Sequence, residues 1–384
     1  MRRPPTFPIA LAGFAAFLDL YATQPLLPLL ARTFQASTFA VSLTVTAPTV
    51  AVALAAPTVG RLADRFGLRR VILGSACALT ITTALAATST TLVQLIGWRF
   101  VQGLVTPGIF ASAIAYIHEE WPAARIGRGT SAYVSGTVLG GFTGRAVAGL
   151  VAADVTWPAA FVALAALNAA VAVALLAWLP RERSRSAAGG ARLGQWPSIV
   201  GHLHNRQLVA TYAIGFCVLF TQVAMFTYVT FHLAAPPYRL STAALGWLFA
   251  VYLVGAVATP LAGRWIDVYG HRIGLAAAMG IGGVGALLTL APWLPAIIAG
   301  LALSATGVFI AQATTSGYIG AVTTTDRGLA VGLYSTCYYT GGSVGAALPA
   351  AVWHLGGWPA CVALVIGVQS LGVAVALTQW AGRR

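Results

Sequence analysis

Long apolar runs separated by short polar stretches dominate the chain. A helix needs roughly 20 mainly apolar residues to cross the hydrocarbon core of a bilayer. Twelve runs reach that length, over residues 8–33, 38–62, 70–89, 92–117, 124–152, 157–179, 208–234, 241–265, 272–291, 295–322, 327–354 and 358–381. Helices are expected throughout, because lipid offers no partner for an unpaired backbone N–H or C=O. The first run follows Arg2 and Arg3 as a signal peptide would, but it continues past Asp19 to about Leu30. That is too long for the apolar core of a leader, so an uncleaved first span is expected. The longest polar stretch, Pro180 to Gln207, carries Arg181, Arg183, Arg185, Arg192, Arg206 and the Gly189-Gly190 pair and reads as a linker. Its His202 and His204 have no acidic or cysteine neighbours and read as solvated loop residues. The expected organisation is an all-α membrane protein: a six-helix bundle over 1–179, a cytoplasmic linker over 180–207 and a second six-helix bundle over 208–384.

Composition agrees with a lipid environment. Hydrophobic residues make up 58% of the 384, charged residues only 8%, and the mean hydropathy is +0.82. A water-soluble domain carries about a quarter charged residues. The 42 glycines suit close helix packing where no hydrophobic force draws helices together. The net charge of +14 is all arginine, with no lysine, and lies in short clusters between spans, which argues against a nucleic-acid surface. With a cytoplasmic N-terminus, the cytoplasmic side receives Arg2, Arg3, Arg61, Arg65, Arg69, Arg70, Arg125, Arg128, Arg264, Arg272, Arg327, Arg383, Arg384 and the linker arginines, while the opposite side receives Arg32 and Arg239. This is the positive-inside pattern, and adding or losing one central span would scramble it. Cys77, Cys217, Cys337 and Cys361 lie singly in apolar runs, so neither a disulfide nor a metal site is expected.

The two halves repeat. Pro57, Gly60, Arg61, Asp64, Gly67 and Arg69 recur as Pro260, Gly263, Arg264, Asp267, Gly270 and Arg272. Gly140, Gly141, Gly144, Trp157 and Pro158 recur as Gly341, Gly342, Gly345, Trp358 and Pro359. Parallel repeats about an axis along the membrane normal are one plan for transporters. The stretch Gly60-Arg-Leu-Ala-Asp-Arg-Phe-Gly-Leu-Arg-Arg70 resembles the signature between the second and third helices of the major facilitator superfamily, and Arg99-Phe-Val-Gln-Gly103 resembles its fourth-helix motif. The resemblance covers essentially the whole chain and implies twelve transmembrane helices in two pseudo-symmetric bundles that expose a central site alternately to each side. It also implies a gating role for Gly60, Asp64, Arg65, Gly67, Arg69 and Arg70 and for Gly263, Asp267, Gly270 and Arg272. Asp64 would face the start of the eleventh helix, near Asp326-Arg327.

Two residues are costly in lipid. Arg99 lies about two turns inside the fourth span, where an unpaired arginine costs about 2.5–3.5 kcal/mol on insertion scales. It must face the bundle interior or a wet cavity, and Gln102 shares its face. Asp19 is the one acid placed deep in a span. Burial favours a neutral acid and a nearby arginine favours a carboxylate, so an acid between those limits can load and release protons. The alternative is a static Asp19–Arg99 pair that holds two helices together. The run Asp19-Leu-Tyr-Ala-Thr-Gln-Pro-Leu-Leu-Pro28 is similar to the first helix of drug-efflux members, and with Gly140-Gly-Phe-Thr-Gly-Arg145 it resembles the YnfM-like branch of efflux permeases. The fifth span departs from the antiporter pattern G-x-x-x-G-P-x-x-G-G: it has no proline there and ends on Arg145, which could hold an anion or could pair with Asp154 or interfacial groups.

The second half has no acid or arginine deep in a span, so it is expected to supply much of the solute surface. Tyr21, Gln24, Gln102, Arg145, Gln222, Phe226, Tyr228, Gln312 and Tyr338 are the candidate solute contacts, since aromatic rings with a few polar tips suit an amphiphilic compound. The expectation is a proton-coupled exporter of small organic compounds, monomeric, in the bacterial inner (plasma) membrane, with both termini cytoplasmic, no cofactor and partners limited to lipid, solute and protons. The alternative is uptake of a small organic anion by Arg99 and Arg145. No Ser–His–Asp grouping, metal cluster or phosphate loop suggests an enzyme, and no extramembrane domain suggests a receptor.

Overall fold

The computed structural model describes residues 6–182, 196–323 and 327–380. Its elements, in chain order, are α1 (Thr6–Leu18), α2 (Leu27–Thr33), α3 (Thr38–Ala55), α4 (Val59–Phe66), α5 (Leu68–Ala86), α6 (Leu92–Glu120), α7 (Ile126–Asp154), α8 (Trp157–Trp178), α9 (Trp196–His204), α10 (Arg206–Ala234), α11 (Thr242–Leu248), α12 (Val251–Tyr269), α13 (His271–Leu288), α14 (Leu294–Val322), α15 (Arg327–Ala347) and α16 (Pro349–Gln379). Among the described residues, ten helices are long and apolar enough to cross a membrane. The expected first span is interrupted, running as α1, a turn and α2. The expected eleventh starts as α15 and continues into α16, which bends at Gly356 and Gly357, between the eleventh and twelfth expected spans. Part of the expected linker is the short helix α9, and His202 is buried on it rather than solvated. Arg183, Arg185, Gly189, Gly190, Arg192 and Asp326 lie outside the described residues.

Two compact units result. One holds residues 6–182 together with 240–249, and the other residues 196–239 and 250–380. In the first, α1 packs along α7, and α6 lies between α3 and α5. In the second, α10 packs along α15 and α14 along α13. Glycine makes the tightest of these contacts. Gly136, Gly140 and Gly144 on α7 lie against the carbonyls of Ala10, Phe14 and Leu18 on α1. Gly341 and Gly345 on α15 lie the same way against the carbonyls of Phe216 and Phe220 on α10. Such stripes bring backbones within dispersion range, which is how helices associate in lipid.

The repeat is visible in backbone angles. Gly67 (φ 88, ψ 149) separates α4 from α5, and Gly270 (φ 87, ψ 160) separates α12 from α13. Both conformations are open essentially to glycine alone, and another residue costs about 1–3 kcal/mol there. Ser37 and Ser241 cap α3 and α11 alike, each accepting from the N–H three residues on, at 3.1 and 3.2 Å. The surroundings of the two glycines differ. A methyl group at Gly67 would stand 2.9 Å from the Glu182 carboxylate, whereas one at Gly270 meets open space. Gly67→Ala should therefore lower the melting temperature in detergent more than Gly270→Ala. Equal losses would mean that backbone strain alone matters.

Candidate functional site

The chemistry gathers in the first unit, at the break in the first span. Helix α1 ends at Leu18, residues 19–23 form turns, and Gln24–Leu26 form a 3-10 turn. Pro25 has no N–H to give the Tyr21 carbonyl, which takes the Gln24 N–H at 3.1 Å instead. The Leu20 carbonyl thereby loses its usual helical donor. A second free carbonyl arises in α3, where Pro48 cannot donate to Thr44 four residues before it.

Arg99 joins these two carbonyls. It is fully buried, and its guanidinium donates through Nε to the Thr44 carbonyl at 3.1 Å and through Nη2 to the Leu20 carbonyl at 2.7 Å. Its Nη1 donates to Gln102 Oε1, one turn further along α6. The burial of a cation is thus offset by acceptors that two prolines and a helix break leave open.

Asp19 stands beside this arrangement at 2% exposure. Its Oδ2 accepts from Thr83 Oγ1 at 2.7 Å and from Asn168 Nδ2 at 2.6 Å. Its Oδ1 is buried without a hydrogen-bond partner among the described residues. Gln102 Nε2 donates to Thr83 Oγ1 at 2.9 Å, so the line Arg99–Gln102–Thr83–Asp19 is continuous. Among the described residues, Asp19 and Arg99 share no direct hydrogen bond; the two charges meet through neutral side chains.

Arg145 is drawn inward. It is 4% exposed and donates through Nε to Gln24 Oε1 at 2.8 Å and through Nη1 to the Gly141 carbonyl at 2.6 Å. The rings of Tyr21 and Phe249 lie 5.1 and 4.7 Å from its guanidinium carbon. Asp154, one of the partners suggested for it, is exposed at the end of α7, nine residues and about 13 Å along the helix. Phe249 reaches Arg145 because residues 240–249 belong to the first unit, where Gly246 on α11 meets Gly149 on α7.

The signature loop is divided. Asp64, Arg65 and Arg70 are exposed, and Arg65 lies over the Phe66 ring at 5.3 Å. Arg69 is engaged, donating to the carbonyls of Leu179 at 2.8 Å and Leu176 at 3.0 Å, while its backbone N–H meets Glu182 Oε1 at 2.7 Å. Gly60 and Gly263 are half-buried, Asp267 is exposed and Arg272 is half-buried. Of the expected partner of Asp64, the helix start near Asp326-Arg327, Asp326 lies outside the described residues.

In the second unit, two candidate solute contacts are buried against other rings. Tyr228 is fully buried, donates to the Ala346 carbonyl at 2.9 Å and packs against Phe231 and Trp353. Phe226 is fully buried with its ring 4.5 Å from that of Tyr252, which meets Phe309 in turn. Both face neighbouring helices, as aromatic residues in membrane bundles commonly do. Gln222 and Gln312 are half-buried, and Tyr338 lies between Tyr334 and Tyr339, with ring centroids 5.7 and 5.5 Å away. Thr83 and Asn168 are site residues that the sequence reading does not single out. Asn168 has a legible signal, being the one amide in the apolar run of α8, whereas threonine is too common in these spans to stand out.

Comparison with known proteins agrees with this architecture. The family model described as Major Facilitator Superfamily matches residues 9–235 and 230–383. The MFS-type transporter YybF of Bacillus subtilis is 31% identical over 94% of this chain and 89% of its own length. The inner membrane transport protein YnfM of Escherichia coli is 29% identical over 90% of this chain and 83% of its own. The crystal structure of a point mutant of the nucleoside transporter NupG shares the fold, with a TM-score of 0.77 at 13% identity, covering 98% of this chain and 100% of that one. With ten apolar helices of membrane-crossing length among the described residues and a family match along nearly its whole length, this chain belongs to the major facilitator superfamily of membrane transporters.

Proposed function

We propose that the protein is a proton-coupled exporter of small organic compounds that works by alternating access, with Asp19 as the coupling acid. The observation that carries this reading is the setting of Asp19: a buried carboxyl with one oxygen lacking a hydrogen-bond partner among the described residues, hydrogen-bonded toward Arg99 through Thr83 and Gln102 and not directly. A static ion pair would place the guanidinium on the carboxylate, whereas here the guanidinium is taken up by backbone carbonyls. That leaves the carboxyl free to change charge without dismantling the anchorage of Arg99. The driving force is adequate. A proton moving inward contributes about 2.3 kcal/mol per 100 mV and about 1.4 kcal/mol per pH unit, enough together for a solute gradient of roughly several hundredfold.

In this reading the N- and C-termini are cytoplasmic, the protein acts as a monomer, and the two signature loops, Gly60 to Arg70 and Gly263 to Arg272, bias the access equilibrium. Arg69 would do so by holding the end of α8 to the start of α5. Solute would be met by Gln222, Gln312 and Tyr338. Uptake of an organic anion has less support, since the hydrogen bonds of Arg99 and Arg145 to Leu20, Thr44, Gln24 and Gly141 account for their burial without one.

The test is proton movement in proteoliposomes during addition of a panel of organic solutes, comparing wild type with Asp19→Asn. Solute-dependent proton release by wild type and none by the variant is expected. Equal solute movement by both, without protons, would recast the protein as a uniporter or anion carrier.

A further inference from the structure

Resting on the reading that Asp19 titrates, we propose that Thr83 and Asn168 are the positioning residues that set how tightly Asp19 holds its proton, with the Thr83 hydroxyl reversing its hydrogen bond when the proton arrives. The hydroxyl of Thr83 has one proton and two acceptors in reach, Asp19 Oδ2 at 2.7 Å and the carbonyl of Leu79 at 2.7 Å. It also accepts from Gln102 Nε2 at 2.9 Å. With Asp19 ionised, Thr83 donates to the carboxylate, and the Leu79 carbonyl keeps the bond of its own helix. With Asp19 protonated on Oδ2, the new O–H donates to Thr83 Oγ1, and Thr83 turns its own proton to Leu79. One proton is added, no other bond breaks, and the heavy atoms stay where they are. Both states satisfy the hydroxyl, whose oxygen has two lone pairs for Gln102 and Asp19.

Asn168 acts with a definite sign. Its Nδ2 donates to Oδ2 at 2.6 Å, and a hydrogen bond to a charged acceptor is roughly twice as strong as one to a neutral acceptor. Asn168 therefore favours the carboxylate and eases proton release. Its own Oδ1 is buried without a partner among the described residues, so no hydrogen bond of that oxygen explains why an asparagine stands in the apolar run of α8. Few other groups compete for control of Asp19. From α6 the charged neighbour is Arg99. From α7 it is Arg145, held on Gln24 and Gly141, with Tyr133 as a further titratable group. Helix α5 carries Arg69 and Arg70 in its first turn and Cys77 on an exposed face, and α8 carries no charged residue.

The test is infrared difference spectroscopy of the full-length protein in lipid, following the protonated-carboxyl band against pH without added solute. In wild type a band absent from Asp19→Asn is expected. Asn168→Leu should move its midpoint upward by about one pH unit, about tenfold in proton affinity. Thr83→Val should move it upward by less, because both the charged and the neutral form lose a bond, and Thr83→Ser, which keeps the hydroxyl, should leave it in place. If wild type has no such band, proton coupling through Asp19 fails as a whole. If the band is present but Asn168→Leu and Thr83→Val titrate as wild type does, the proposal for these two residues is overturned while the coupling reading stands. A Thr83→Ser midpoint that follows Thr83→Val would assign the effect to packing and overturn the hydroxyl's role.

Discussion

Replacing Arg99 by leucine should cost the folded protein at least about 3 kcal/mol, even though it removes an expensive cation from the fourth span. The two effects have opposite signs. An arginine near a span centre costs about 2.5–3.5 kcal/mol on insertion scales, which leucine would recover. Against that, the Leu20 carbonyl and Gln102 Oε1 lose their donor in the bundle interior, the Thr44 carbonyl keeps only the long 3.5 Å bond from Thr23 Oγ1, and each unsatisfied group in hydrocarbon costs several kcal/mol. The loss therefore wins. Arg99→Lys should fall between, since an ammonium has no planar fork to span two carbonyls. Pro48→Ala supplies an internal control. It gives the Thr44 carbonyl a helical N–H, so Arg99→Leu should cost less in that background, a coupling of about 1 kcal/mol. Denaturant titration of the purified variants in detergent measures both quantities. An Arg99→Leu protein as stable as wild type would mean that the guanidinium merely occupies the site.

Gly144→Ala should prevent correct assembly of the first unit. An added methyl group would overlap the carbonyl of Leu18, and Gly140 and Gly136 stand in the same relation to Phe14 and Ala10. The obstructing atoms are backbone, so no rotamer change relieves the overlap, and α1 would have to move off α7 along its length. That displacement would reach Asp19, which follows Leu18 directly. Gly74 and Gly97 are matched controls, because nothing lies within 4 Å of a methyl group at either. Alanine there should be neutral or stabilising by up to about 1 kcal/mol, since glycine weakens helix interiors. The readout is the folded fraction by size-exclusion chromatography after extraction. A Gly144→Ala protein that elutes like Gly74→Ala would show that the stripe is not a tight interface.

Much of this architecture can be read from the chain, and the reasons are physical. Apolar runs of bilayer length, glycines at matching positions in both halves and arginines between spans each follow from the constraints of lipid, which act on sequence directly. The interruption at Asp19 is less legible, because Pro25 and Pro28 announce a bend without saying which carbonyls it frees. The role of Arg99 is half legible: its cost demands partners, but the nearest charge, Asp19, suggests a pair, whereas backbone oxygens freed by Pro48 and the break in the first span hold it. Arg145 is hard to place for a related reason. Chain proximity suggests Asp154, while Gln24 and Phe249 are distant in sequence and meet it only in the fold. Tyr228 and Phe226 illustrate the remaining limit, since a ring that packs and a ring that lines a cavity look alike in sequence.

The two freed carbonyls also bear on which solutes this region can hold. Leu20 and Thr44 turn backbone oxygens toward one point, forming a socket for a cation, and the chain fills that socket with its own guanidinium. A tethered group competes at an effective concentration in the millimolar range or above. A cationic compound arriving at micromolar levels would not displace it. Under the proposed function, discrimination among cationic solutes then belongs to other surfaces of the protein, and the variable left at this socket is the charge of the carboxyl beside it.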